Sequence, residues 1–282
     1  MQNVLFIDKP KGMTSFALCK DMRPVFGTRS IGHTGTLDPN ATGVMIILLD
    51  KATKANQFLT GVGKEYIATV ELGYETDTLD IDGHTVQEKE VLPFGREELE
   101  KILLSFLGPQ KQTPPLTSAV RIKGKRLYEY QREGREVEIP ERDVEIHELE
   151  LLKTEGKEIV LRCSVSSGTY IRSLVRDIFA KTGNLATLKD LQRTRTGTVT
   201  IDMCDPYEEV IKGNYHLHSL HDLLKERYYA IEYERPEDIK SGKAVALNCE
   251  ADKVYFYQGE EPLAVYERSA DDGLYRSVRG LF

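Results

Sequence analysis

Residues 32–43, Gly-His-Thr-Gly-Thr-Leu-Asp-Pro-Asn-Ala-Thr-Gly, constrain this chain more than any other stretch. Three glycines, one proline, one histidine and one carboxylate precede the apolar run 44–49. Glycine permits positive φ and the close approach of another backbone or a ligand. Pro39 sets the turn that begins at Asp38. The apolar run has the length of a buried strand. A rigid loop that holds one Asp against the start of such a strand presents a single reactive carboxylate. A solvated Asp-Pro corner is the plainer reading, and the dipeptide alone does not separate the two.

The rest of the chain reads as a mixture of helices and strands. Tyr66, Ala68, Val70 and Leu72 alternate at strand period over 65–72. Strands are also predicted at 4–7, 144–152, 159–165, 188–194 and 199–201. Helices are predicted at 16–26, disturbed by Pro24, at 52–59, and at 96–107, stopped by Gly108-Pro109. A further helix at 169–181 carries Ile171, Leu174, Val175 and Ile178 at helical spacing, with Gly183 just beyond its end. After a break at 212–214 come a short helix near 220–225 and short strands at 244–247, 254–257, 263–266 and 275–278. Several strands follow one another directly, which favours an α+β fold with a mostly antiparallel sheet and flanking helices over a doubly wound one. The expected division is a large domain over 1–212, a linker over 213–230 and a small all-β module over 231–282.

With 282 residues, 40% apolar and 29% charged, the composition is that of a globular enzyme. No apolar stretch is long enough to span a membrane, and the first residues lack the pattern of a secretory signal. Cys19, Cys163, Cys204 and Cys249 are scattered and read as reduced, core-filling thiols of a cytoplasmic protein. The net charge of −7 by itself argues against nucleic acid, but the charge is uneven. Residues 121–135 hold six basic and two acidic side chains together with Tyr128 and Tyr130, whereas 221–282 hold nine basic and thirteen acidic. A basic stretch with interleaved tyrosines is compatible with a directed RNA-binding face. It is equally compatible with a solvated helix.

Other candidates are weaker alone. Tyr170 and Arg172 start a helix two residues apart, so they do not share a face. Arg172 is either a surface ion pair or the partner that keeps a buried carboxylate ionised. Tyr66 is a core tyrosine or a platform for a base. Asp77, Asp80 and Asp82 precede Gly83, but the spacing fails the calcium-loop pattern, so a self-bonded turn is expected. His216, His218 and His221 lack further ligands at zinc spacing. With no P-loop, dinucleotide fingerprint or nucleophile elbow, a cofactor-free and metal-free mechanism is expected.

The whole string at 32–43 resembles the signature G-H-x-G-T-L-D-P-x-A-x-G of the TruB family of tRNA pseudouridine synthases, and every fixed position is met. The resemblance continues through Asp8-Lys9-Pro10-Lys11-Gly12, Lys64-Glu65-Tyr66, the loop 76–83, the stretch 115–128 and Gly168-Thr169-Tyr170-Ile171-Arg172. It implies a pseudouridine-synthase-like core, to which the C-terminal module adds a part similar to a PUA-like domain only in size and strand content. It also implies an isomerase that converts the T-loop uridine at tRNA position 55 to pseudouridine, with no cofactor and no guide RNA, acting as a monomer. By resemblance Asp38 is the catalytic carboxylate, His33 wedges into the T-arm, and Tyr66 stacks on the flipped uracil. Arg172 pairs with Asp38, Tyr170 and Leu191 line the base pocket, and Lys9 is among the substrate-binding residues. A nucleoside hydrolase or RNA glycosylase would use the same carboxylate but release free uracil. An RNA chaperone would fold tRNA without chemistry. A guide-dependent relative is disfavoured by the absence of a long basic C-terminal extension.

Overall fold

The computed structural model describes the chain apart from Met1, Ala119, Lys123, Gly134 and Glu136, and apart from the side chains of Gln2, Arg121, Arg126, Tyr128, Gln131 and Arg132. Its contacts divide into two compact units: 1–39, 43–60 and 199–282 in the first, 40–42 and 61–198 in the second.

In the first unit the strand Gln2–Lys9 pairs antiparallel with Thr42–Leu49, from Val4 opposite Leu48 to Lys9 opposite Gly43. Ile31–His33 adds antiparallel to the end of Thr42–Leu49. Leu217–Ser219 lies antiparallel, and Asp205–Pro206 parallel, to Gln2–Lys9. Val4–Ile7 and Val44–Leu49 are at most 6% exposed, so both strands are covered on both faces. That explains their unbroken apolar runs. The helix Ser15–Phe26 is capped by Thr14, whose hydroxyl accepts from the Ala17 amide at 3.0 Å, and ends at Gly27 in the left-handed region.

The C-terminal strands belong to this unit and share its core. Tyr229–Glu232, Lys253–Gln258, Glu261–Arg268 and Tyr275–Gly280 form a four-stranded sheet. Strand alternation sends Tyr255 and Val265 to one face, where they join Val4, Phe6, Ile46, Leu220 and Leu224. The neighbouring Val254, Phe256, Ala264 and Tyr266 point the other way, into a second core with Ile239 and Tyr275. A strand buried on both faces is not the surface of a free-standing module. The strand expected at 244–247 is reduced to a single bridge between Val245 and Tyr275.

The second unit is built on antiparallel strands paired in the order Ala186–Thr196, Lys64–Leu72, Glu158–Val165, Arg142–Glu155, Gly108–Gln112. Alternate burial of Tyr66, Ala68, Val70 and Leu72 follows the predicted period. The helix Ile171–Ala180 buries Ile171, Leu174, Val175, Ile178 and Phe179. Its apolar stripe packs beside the Ala186–Thr196 strand. The strand Gly108–Gln112 is not predicted, because Gly108-Pro109 reads as a helix stop. It forms because it lies at the sheet edge, where a proline's missing N–H costs no ladder bond. No described helix is long and apolar enough to cross a membrane.

Candidate active site

In the first unit the Asp38 loop is pinned from both sides by residues of the opening segment. Lys9 is fully buried, and its ammonium donates to the carbonyls of Pro10 at 2.8 Å, Met13 at 2.7 Å and Pro39 at 3.1 Å. The Gly12 amide donates to the same Pro39 carbonyl at 2.8 Å. Ser15 Oγ donates to the Leu37 carbonyl at 3.0 Å and accepts from the Leu37 amide at 2.9 Å. Both residues that flank Asp38 are therefore tied down, while Asp38 itself is only partly buried. A charged donor contributes about 1.5–3 kcal/mol per hydrogen bond, offset by the cost of taking the ammonium out of water. This geometry makes Lys9 a clamp on the loop. His33 ends the strand Ile31–His33, opposite Ile47. Of the three loop glycines only Gly43 has positive φ, at 107°, where the chain enters the buried strand.

The second unit holds the remaining candidates. Arg172 is 4% exposed, so the surface ion pair considered for it does not apply. Its guanidinium donates to the Thr78 carbonyl at 3.0 Å, to Thr117 Oγ1 at 2.6 Å and to the Thr117 carbonyl at 3.1 Å, with Asp80 Oδ2 at 3.4 Å. The planar fork of arginine suits such divergent acceptors. Leu79 adopts φ of 64°, which costs a branched residue about 1–2 kcal/mol and presents Thr78 and Asp80 together.

The Asp-rich turn bonds to itself, as expected. Asp77 Oδ1 accepts from the His84 amide at 2.9 Å. Asp80 Oδ1 accepts from Thr78 Oγ1 at 2.5 Å and from the Asp82 amide at 3.2 Å. Asn40 donates to Asp82. A Cβ at Gly83 would run into Thr78 Oγ1 and the Thr78 backbone amide, so only glycine fits there.

Tyr66 and Leu191 share one sheet face. Leu191 stands opposite Ala68, and Arg193 directly opposite Tyr66. Tyr66 is 7% exposed and Leu191 8%. Arg193, 2% exposed, is a residue the motifs do not mark. Its signal lay in the period-two step from Leu191, which places the two on one face. Tyr170 is half-buried and forms the N-cap of the helix that carries Arg172.

The basic stretch is less free than its charge suggests. Lys125 Nζ donates to Glu133 at 2.9 Å, and Arg135 reaches Glu133 at 3.3 Å. Lys123 and the side chains of Arg121, Arg126, Arg132 and Tyr128 lie outside the described residues. The three histidines also go to separate duties. His216 meets Asp205 at 2.8 Å, His218 stacks on Phe6 with ring centroids 3.9 Å apart, and His221 meets the Tyr255 hydroxyl at 3.1 Å. Burial lowers the pKa of both His218 and His221. Burial also pushes the Cys19 thiol up to about 11 and Cys163 up to about 12, which leaves both inert.

Thus one unit presents a clamped carboxylate, and the other a buried arginine, an aromatic sheet face and a tyrosine at a helix start. A carboxylate on a rigid frame suits acid–base or nucleophilic chemistry, and an aromatic side chain on a sheet face suits stacking on a planar base. The TruB family pseudouridylate synthase N-terminal domain matches residues 23–171. A tRNA pseudouridine synthase B of Oceanobacillus iheyensis is 38% identical over 95% of this chain and 93% of its own. One of Geobacillus kaustophilus is 44% identical over 74% of this chain and 76% of its own. A solved H/ACA RNP bound to a substrate RNA containing 2′-deoxyuridine has a chain with the same fold. Its TM-score is 0.74 at 20% identity, over 99% of this chain and 84% of that one. The chain belongs to the TruB family of pseudouridylate synthases. It is accordingly an isomerase of the α+β pseudouridine-synthase fold.

Proposed function

We propose that this enzyme isomerises the T-loop uridine at position 55 of tRNA, recognising the T-arm stem-loop without guide RNA or cofactor, as a cytoplasmic monomer. The observation that supports it most directly is the Asp38 loop. A sequence that meets the family signature at every fixed position is held by Lys9, Gly12 and Ser15 so that one carboxylate is offered on a rigid frame. The names of the full-length relatives supply the tRNA substrate.

In the reaction the C1′–N1 bond breaks, the uracil turns, and C5 bonds to C1′. C5 loses a proton and N1 gains one. The target base must first leave its stack, at a cost of a few kcal/mol. We assign His33 to the displacement and Tyr66 to stacking on the extruded base, which offsets part of that cost. Leu191 and Tyr170 wall the uracil while it is detached. Asp38 acts at the ribose or the ring, as nucleophile or as base.

The test is Asp38→Asn with a T-arm stem-loop tritiated at uracil C5 and no other RNA present. Binding is expected to persist and tritium release to vanish. Release at a tenth of the wild-type rate would overturn the assignment. Free uracil would identify a glycosylase, and binding without any chemistry by the wild type a chaperone.

A further inference from the structure

We propose that Gln112 is a positioning residue for the isomerisation, acting through Tyr170. This rests on the reading of Tyr170 as a wall of the base pocket. Gln112 is the last residue of the edge strand Gly108–Gln112 and is 4% exposed. Its backbone is registered in the sheet opposite Arg142. Its side chain turns to the other element. Nε2 donates to the Tyr170 carbonyl at 3.1 Å, and Oε1 accepts from the Tyr170 amide at 2.8 Å. The two bonds form the kind of reciprocal exchange found between paired residues of a β-ladder.

The chemistry singles out a primary amide. The Tyr170 N–H belongs to the peptide plane before its Cα, and the carbonyl to the plane after it. A group that grips both planes sets φ and ψ together, observed at −95° and 111°, and so sets the direction of the ring. Only a side chain with one donor and one acceptor at adjacent positions does this. Tyr170 has no side chain able to cap its own helix, and none does so. The next residue of the strand's chain adds a third bond, from Ser173 Oγ to the Thr113 carbonyl at 2.8 Å. Residues 112, 113 and 117 thereby hold 170, 173 and 172 in turn. Packing alone needs no such amide, because a methionine fills the same volume.

The experiment is a double-mutant cycle of Gln112→Met and Tyr170→Ala, read as single-turnover rate at saturating stem-loop, alongside RNA affinity and thermal midpoint. Misplacing a reacting group by about 1 Å costs on the order of 10²-fold. Gln112→Met is expected to slow the chemical step by roughly 10–100-fold with affinity changed less than about threefold. In the Tyr170→Ala background the same change is expected to cost less than about twofold, because the ring it aims is gone. Effects that multiply in full would overturn the proposal while leaving Tyr170 in the pocket. A wild-type rate in Tyr170→Ala would overturn the reading of Tyr170, and this proposal with it. Gln112→Glu gives a second readout should Gln112→Met not fold. A protonated carboxyl carries one donor and one acceptor, as the amide does, and a carboxylate carries no donor. The rate of this variant relative to wild type is expected to rise as pH falls. A flat ratio would overturn the proposal.

Discussion

The Asp38 loop and the Arg172 shelf are both clamped by a buried nitrogen-bearing side chain on backbone carbonyls, yet they are assembled over different spans of chain. Lys9 reaches Pro39 across 30 residues, and Ser15 reaches Leu37 across 22. Arg172 reaches Thr117 across 55 and Thr78 across 94, and Gln112 reaches Tyr170 across 58. The first clamp lies within one hairpin-like stretch of the first unit, where the opening strand and the strand after the loop are paired neighbours. The second joins residues from separate loops and a helix of the second unit, brought together only by its tertiary fold. A site part made from short-range contacts is written as a dense motif. One made from long-range contacts is scattered over single residues, each of which reads as ordinary.

Four changes test that contrast, beginning with Asp38→Asn, which should abolish turnover as described above. Next is Arg172→Lys, because an ammonium cannot reproduce the divergent fork to Thr78, Thr117 and Asp80. We expect single-turnover chemistry to fall by about 10²-fold while stem-loop affinity changes far less. Weakened binding with intact chemistry would recast Arg172 as a phosphate contact.

Lys9→Met comes third. It strips a charged donor from the carbonyls of Pro10, Met13 and Pro39. Leaving buried acceptors unpaired costs about 1–3 kcal/mol, roughly 2–10 °C in thermal midpoint. An unchanged melting curve would mean that the loop is held by Ser15 and Gly12 alone.

Acidification should have the smallest effect, and it tests the scaffold of the first unit. His218 and His221 have folded pKa values below the ordinary histidine value, because burial disfavours the charged ring. A lowered folded value means that the neutral form stabilises the fold above about pH 6.5 and that this contribution is lost as pH falls through the folded values. Thermal midpoints should decline below about pH 6.5. His218→Phe, which keeps the stack on Phe6 without a titrating ring, should make the decline shallower. An identical pH profile for this variant would remove His218 from the account.

Much of the fold was legible because one-dimensional periodicity survives into three dimensions where burial is one-sided. Alternation over 65–72 and helical spacing over 171–178 returned their elements nearly to the residue. The misses have a common cause. The strand Gly108–Gln112 carries a proline, and only its place at a sheet edge makes that harmless. The C-terminal strands have the composition of a separate module, and only the packing of Tyr255 and Val265 on the first unit's core joins them to it.

By itself the amino-acid sequence determined the family and the rigid loop that carries Asp38, because glycine, proline and a short contact span leave the backbone few alternatives. Tertiary structure alone decided that Lys9 is a clamp, that Arg172 is buried on Thr78, Asp80 and Thr117, that Arg193 faces Tyr66, and that Gln112 grips Tyr170. Burial and hydrogen-bond partnership at separations of 30 to 94 residues are properties of the packed chain, and no local pattern encodes them.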